Sequence, residues 1–157
     1  NLLVGWLGGV GGPSAAYANG ILVTAMEYGS LTAISMTMGK KAWSSEDDLP
    51  STSSPLATPS YVFTVNANGI ANAYELVGGK KLWNHEWNGE FYPSPILAGE
   101  LVFFSDNKGV THIARADKAF TQVGEPALGE GSGATPAFVG ARIYHHGKRF
   151  LYCIGAE

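Results

Sequence analysis

The sequence predicts an all-β fold of repeated four-stranded sheets, and three observations carry that prediction. The first is a period of forty residues: Gly39-Lys40-Lys41-Ala42-Trp43 returns as Gly79-Lys80-Lys81-Leu82-Trp83, and Ser54-Pro55 returns as Ser94-Pro95. Thr135-Pro136 stands 41 residues further on, and Gly29, Gly69 and Gly109 keep the interval. The second is composition: 21 glycines, 45% hydrophobic residues and only 15% charged ones suit many short, tightly turned strands. The third is the absence of any helical hydrophobic period. A fixed interval of this size marks a repeat architecture.

Aligned at that interval, the chain falls into rows of about 1–40, 41–80, 81–120 and 121–157, all within one domain. Each row opens on a small residue or proline, with Ala15, Pro55, Pro95 and Pro136 in one column. A short apolar stretch leads to a turn at Asn19-Gly20, Pro59-Ser60, Gly99-Glu100 or Gly140-Ala141. Second strands follow at Ile21-Leu22-Val23, Tyr61-Val62-Phe63, Leu101 to Phe104 and Arg142-Ile143-Tyr144. A second turn carries Tyr28-Gly29, Asn68-Gly69, Lys108-Gly109 and His146-Gly147. Third strands run through Leu31 to Ile34, Ile70 to Tyr74, Val110 to Ile113 and Phe150 to Ile154. In the first two rows a glycine turn then leads to a fourth strand bearing the tryptophan. Several strands are apolar on successive residues, as a sheet buried on both faces requires. Four-stranded sheets packed face to face around an axis satisfy this, and the fold expected is a β-propeller. An open β-solenoid, the competing repeat fold, usually has shorter units without four hairpin-linked strands.

The segments Ala33-x-Ser35-x-x-x-Gly39-Lys40-x-x-Trp43 and Ala73-x-Glu75-x-x-x-Gly79-Lys80-x-x-Trp83 carry a resemblance. They are similar to the tryptophan-docking motif of the PQQ-like β-propeller repeat family, A-x-D-x-x-x-G-K-x-x-W. Ser35 and Glu75 stand in place of the usual aspartate, and the third row, with Ile113, Arg115, Ala119, Phe120 and Val123, has lost the motif. The physical sense is a tight glycine turn before the outermost strand, with the indole laid against the neighbouring blade near the small alanine. Ala33, Gly39, Trp43, Ala73, Gly79 and Trp83 are therefore expected to be structural docking residues.

In this register Leu3 falls in the Trp83 column, so the chain begins with an outermost strand and ends with a third strand at Leu151 to Gly155. The resemblance implies rings of seven or eight blades, the N-terminal strand commonly completing the last. About four blades are expected here, as the C-terminal portion of a larger ring completed by missing blades or by a second copy. An alternative reading of Leu2 to Leu7 with Ala16-Tyr17-Ala18 is the end of a secretory signal, although the positive segment that should precede it is absent.

The net charge of −3, with no basic cluster, argues against a nucleic-acid partner. No apolar stretch approaches the roughly 20 residues of a membrane helix. The single cysteine, Cys153, excludes an internal disulfide and is expected to be a buried thiol in an apolar strand. His145-His146 is the one histidine pair, but strand neighbours point to opposite faces. His85 and His112 stand without a cysteine or carboxylate close by in the sequence, so no metal site is expected. No Gly-x-Ser-x-Gly elbow, phosphate loop or haem-attachment motif occurs.

Function in such rings resides in the loops. The connections between blades, with the turns near Gly29, Gly69 and Gly109, should share one face. Trp87, Phe91, Tyr92, Asp106 and Lys108 are the candidate rim for gripping a peptide or sugar, the alternative being that these aromatics cap the blade tops. The resemblance implies a non-catalytic scaffold without cofactor, like the BamB-like branch of the family, with a protein partner in the periplasm or outside the cell. It also admits a fragment of a dehydrogenase using PQQ and calcium, or an extracellular carbohydrate- or surface-binding propeller.

Overall fold

Each forty-residue row folds into one antiparallel sheet. The computed structural model describes residues 12–155, and no helix among them is long and apolar enough to cross a membrane. The first sheet holds β1 (Ala16–Ala18), β2 (Ile21–Thr24), β3 (Leu31–Ser35) and β4 (Lys40–Ser45). The second holds β5 (Leu56–Ala57), β6 (Tyr61–Val65), β7 (Ile70–Glu75) and β8 (Lys81–Glu86). The third holds β9 (Ile96–Ala98), β10 (Leu101–Ser105), β11 (Thr111–Arg115) and β12 (Gln122–Gly124). The fourth has three strands, β13 (Ala137–Val139), β14 (Arg142–His146) and β15 (Leu151–Gly155). Strands consecutive in the chain are neighbours in the sheet, which makes every sheet an up-and-down meander. These are the blades of an all-β, propeller-like fold. The expected outermost strand at the N-terminus lies outside the described residues, whereas Ala16-Tyr17-Ala18 forms β1.

The apolar runs are explained by where alternate side chains go. Val62, Tyr74 and Leu76 face the first blade and pack with Ile21, Val23, Ala33 and Trp43. Phe63, Val65, Ala71 and Ala73 face the third blade and pack with Val102, Phe104 and Ala114. Neighbouring residues thus serve two different cores, so the strand shows no polar alternation.

The outer strand of each four-stranded blade carries the same irregularity. Ala33 pairs with Trp43 but Ile34 with Lys41, leaving Ala42 as a bulge. Ala73 pairs with Trp83 but Tyr74 with Lys81, leaving Leu82. The alanine of the motif is thus the indole's partner within its own blade. Such a bulge raises the local twist and re-aims the next side chain. Trp43 stacks on Tyr74 of the following blade at 5.8 Å, and its Nε1 donates to the Leu76 carbonyl at 2.8 Å. Trp83 repeats this, donating to the Asp117 carbonyl at 3.1 Å.

In the third blade Ile113 pairs with Gly124 and Ala114 with Gln122, leaving Val123 as the bulge. The residue in the indole's place is therefore Gly124, not Val123, because the turn before β12 has gained one residue. A cavity of about 110 Å³ lies between the third and fourth blades, lined by Phe103, Ile113, Leu128, Phe138, Ile143 and Ile154 among others. Cys153 is exposed, against the expectation of a buried thiol. It lies on β15, which has no described strand beyond it to cover that side.

The inner strands are tied by hydroxyls. The Ser14 N–H donates to Ser54 Oγ, the Ser54 N–H to Ser94 Oγ, and the Ser94 N–H to Thr135 Oγ1, each at 2.9 Å. The repeated Ser/Thr-Pro openings are thus hydrogen-bonded from blade to blade.

Trp83→Ala is expected to cost about 3–5 kcal/mol in denaturant unfolding. Gly79 has φ 69°, and a Cβ there would lie 2.5 Å from Trp43 Cγ and Cδ2, whereas Gly99 at φ 60° meets nothing within 4 Å. Gly99→Ala should therefore cost about 1–2 kcal/mol for the backbone alone, and Gly79→Ala a further 1–3 kcal/mol or so for the clash. Equal costs would show that the Trp43 contact contributes nothing. At Gly124, where φ is not positive, a Cβ meets Ile113 Cδ1 at an ordinary 3.5 Å. Gly124→Ala is expected to stabilise the fold by about 0.4–1 kcal/mol.

Candidate functional site

The meander sends every connection between blades to one face. Residues 46–55, 87–95 and 125–136 cross there, beside the turns 26–29, 66–69 and 106–109. The crossing segments and turns are bonded together: the Trp87 N–H donates to the Gly69 carbonyl at 3.0 Å and the Phe91 N–H to the Ala67 carbonyl at 3.1 Å. The Asn107 N–H reaches back to the Glu90 carbonyl at 2.8 Å, and the Lys148 N–H to the Gly131 carbonyl at 2.9 Å. This connection face is held by backbone hydrogen bonds across blade boundaries.

The five residues of the predicted rim divide. Phe91 is fully buried and Trp87 is 7% exposed, the two rings stacked at 5.7 Å beneath the surface. Asp106 is buried, its Oδ1 accepting the N–H groups of Lys108 and Val110 to close the 106–109 turn. Tyr92 and Lys108 are exposed, and Tyr92 Oη donates to Glu90 Oε2 at 3.2 Å. What opens to solvent beside them is a groove of about 400 Å³ lined by Asn68, Glu86, Trp87, Asn88, Gly89 and Glu90. Glu86 and Glu90 give it an acidic wall. Sequence reading passed over these residues, which flank the tryptophan but belong to no motif.

Beneath the groove lies a cluster that the sequence does not announce. His112 stacks on Trp87 at 4.7 Å, its side chain 7% exposed, with Asp106 Oδ2 3.8 Å from Nε2 and Glu125 Oε1 3.5 Å from Nδ1. Both ring nitrogens are buried without a hydrogen bond. Burial pushes the imidazole below the ordinary histidine value, against the upward pull of Glu125 and Asp106. His112 thus has carboxylates beside it, contrary to the sequence expectation, because Glu125 arrives from the connection after β12. One signal was available: Thr32, Asn72, His112 and Tyr152 occupy one column of otherwise apolar third strands. Asn72 Nδ2 lies 3.4 Å from Asp48 Oδ2, and Tyr152 Oη donates to Glu130 Oε1 at 3.0 Å. Three members of this column, Asn72, His112 and Tyr152, meet acidic residues of the connections or the turns beside them, whereas Thr32 bonds to Ser30.

Glu130 also accepts the N–H groups of Arg149 and Phe150 and the Arg149 side chain. Burial pushes its carboxyl up, but those hydrogen bonds together bring it below the ordinary value. His145 is buried, its Nε2 within 3.1 Å of Ser132 Oγ, while its neighbour His146 is exposed on the opposite side. His85 stacks on Phe120 at 3.9 Å. Among the described residues, no three His, Cys, Asp or Glu side chains converge as a metal ion would need.

The imidazoles set the direction of the pH response. Burial lowers His112, His85 and His145, so the unfolded chain takes up protons first as pH falls through about 6.5. The thermal midpoint is expected to hold above about pH 7.5 and to drop toward about pH 5.5. His112→Asn, which places there the residue found at position 72, should shallow that slope. A midpoint that rises on acidification would contradict the assignment.

Known proteins share this architecture. BamB from Moraxella catarrhalis superimposes with a TM-score of 0.72 at 19% identity, over 86% of this chain and 40% of that one. The chain therefore spans well under half the length of that protein. The computationally designed Ika4 protein gives a TM-score of 0.79 at 10% identity, over 100% of this chain and 99% of its own. The designed Ika8 protein gives 0.75 at 10% identity, over 90% of this chain and 44% of its own. At these identities the likeness is one of fold. No curated protein matches in sequence. The family described as outer membrane protein assembly factor BamB matches residues 7–123, which takes in both tryptophan-docking segments, and the chain belongs to that family.

Proposed function

We propose that this chain is a non-catalytic propeller module that holds a segment of a protein partner against its connection face, in the cell envelope. The observation that carries the reading is the contrast within that face. Its polar residues of catalytic type, Asp106 and His112, are buried under Trp87 and engaged in turn and packing roles. What solvent reaches is a rigidly bonded groove with an acidic wall and the exposed ring of Tyr92. Tyrosine at the edge of a polar groove suits peptide recognition, since it offers contact area at little entropic cost. Glu86 and Glu90 favour a segment carrying basic side chains. Family membership supports a role in assembly rather than turnover. The reading assigns no resident cofactor. It places the blades in a larger ring, completed by further blades or a second copy against the exposed Leu151 and Ile154 of β15.

A photo-crosslinker introduced at Tyr92 in envelope extracts tests this. It is expected to capture a defined protein, and Glu86→Lys with Asn88→Arg should lower capture about tenfold or more without changing the thermal midpoint. Both of those side chains are exposed. Supplying PQQ and calcium should yield neither bound chromophore nor alcohol-dependent dye reduction. Turnover under those conditions would replace the scaffold with an enzyme.

A further inference from the structure

The face opposite the connections carries a feature that partner binding does not use. The inner hairpin turns, at residues 19–20, 58–60, 99–100 and 140–141, and the outer turns, at 36–39, 76–80 and 116–121, come together there. Hydrogen bonds join them: the Met36 N–H to the Gly20 carbonyl, the Leu76 N–H to the Ser60 carbonyl and the Ala116 N–H to the Glu100 carbonyl. Asn19 Nδ2 reaches the Pro59 carbonyl of the next blade at 2.9 Å, and the two indoles bond to Leu76 and Asp117 on this same side. The hairpin face is thus one tied surface.

Its turn tips are apolar. Met36 is 49% exposed, Met38 62%, Val77 70% and Val139 63%. Basic residues stand around them: Lys40 and Lys41 follow the methionines, Lys80 follows Val77, and Arg115, Lys118 and Arg142 complete the rim, all exposed. The acidic residues of this face are Glu75, Glu100 and Asp117. The remaining nine acidic residues of the described chain, with Lys108, Lys148 and Arg149 among the basic ones, belong to the connections and the turns beside them. Lys81, the tenth basic residue, reaches from the start of β8 to Asp47 at 2.9 Å and Asp48 at 3.7 Å. Charge is therefore divided between the two ends of the propeller.

We propose that the hairpin face docks on an anionic lipid surface, its apolar turn tips entering the headgroup region and its lysines lying among the phosphates. A protein interface favours a contiguous apolar patch and is depleted in lysine. Here the apolar side chains are separate tips, each beside lysines whose stems pass through apolar surroundings while the ammonium stays wet. Shallow apolar insertion combined with a basic rim is how peripheral proteins hold an anionic bilayer, since either signal alone is weak. The acidic connection face is then turned away from the membrane.

Flotation of the full chain with protein-free vesicles is the test. Binding is expected to vesicles containing about one third phosphatidylglycerol and not to pure phosphatidylcholine, and to weaken as salt is raised toward about 0.5 M. Lys40→Gln, Lys41→Gln and Lys80→Gln should each lower partitioning about fivefold, and Met38→Ser with Val77→Ser should lower it further. Lys108→Gln and Lys148→Gln, on the other face, should leave it unchanged. No flotation with anionic vesicles, or equal losses from both faces, would overturn the proposal. So would retention on native envelope vesicles alone that vanishes when their proteins are stripped by protease. Glu86→Lys with Asn88→Arg should leave flotation intact, so the two binding roles fail separately.

Discussion

The fold depends on one contact made twice, the insertion of an indole from the outer edge of one blade into the next. A tryptophan buries roughly 150–250 Å², worth on the order of 4–6 kcal/mol as an upper bound. Trp43 adds a hydrogen bond to a main-chain carbonyl and rests where only a glycine leaves room, at Gly79. The glycine of the motif therefore acts twice, turning its own chain and receiving the preceding blade. This reciprocal use couples consecutive repeats, and it needs the bulge beside each tryptophan to aim the ring outward. The third blade has Gly124 in the ring's place and so lacks this contact, and a cavity lies between it and the fourth blade.

The inner hydroxyl relay from Ser14 to Thr135 complements this outer lock. In the first two blades both the inner and the outer strand are tied to the next blade. The connections add side-chain bonds of their own, with Glu90 accepting from Tyr92 and Asn107, and Glu130 accepting from Arg149, Phe150 and Tyr152. The polar residues below the groove serve the seam: an imidazole between two carboxylates, sealed by Trp87, links β11 to the connection that leaves the blade.

The two ends of the propeller differ in charge, one groove-bearing and rich in carboxylates, the other basic with apolar turn tips. The division follows from the meander itself. Both Gly-Lys-x-x-Trp turns, at Gly39-Lys40 and Gly79-Lys80, fall on the hairpin side, so the motif that builds the blade also places positive charge there. Connections between blades, free of that motif, take the carboxylates.

Much was legible in the residues alone. The forty-residue interval, the Gly-Lys-x-x-Trp segments and the apolar runs specify four-stranded blades, because period, turn chemistry and burial on both faces are local properties of the chain. The strands begin where the turns predict, and His145 and His146 part to opposite sides as strand neighbours must. Long-range contacts were not legible. The pairing of Gly124 with Ile113 rests on a one-residue insertion that a column alignment hides, and the exposure of Cys153 on how many strands flank β15. Trp87, Phe91 and Asp106 read as a rim because aromatic and acidic residues in a loop look alike whether they point out or in. Their burial, and the meeting of His112 with Glu125, arise where two blades and a crossing segment converge. A one-dimensional pattern encodes which faces are apolar, whereas which side chains meet across a seam depends on distances that exist only once the blades have packed.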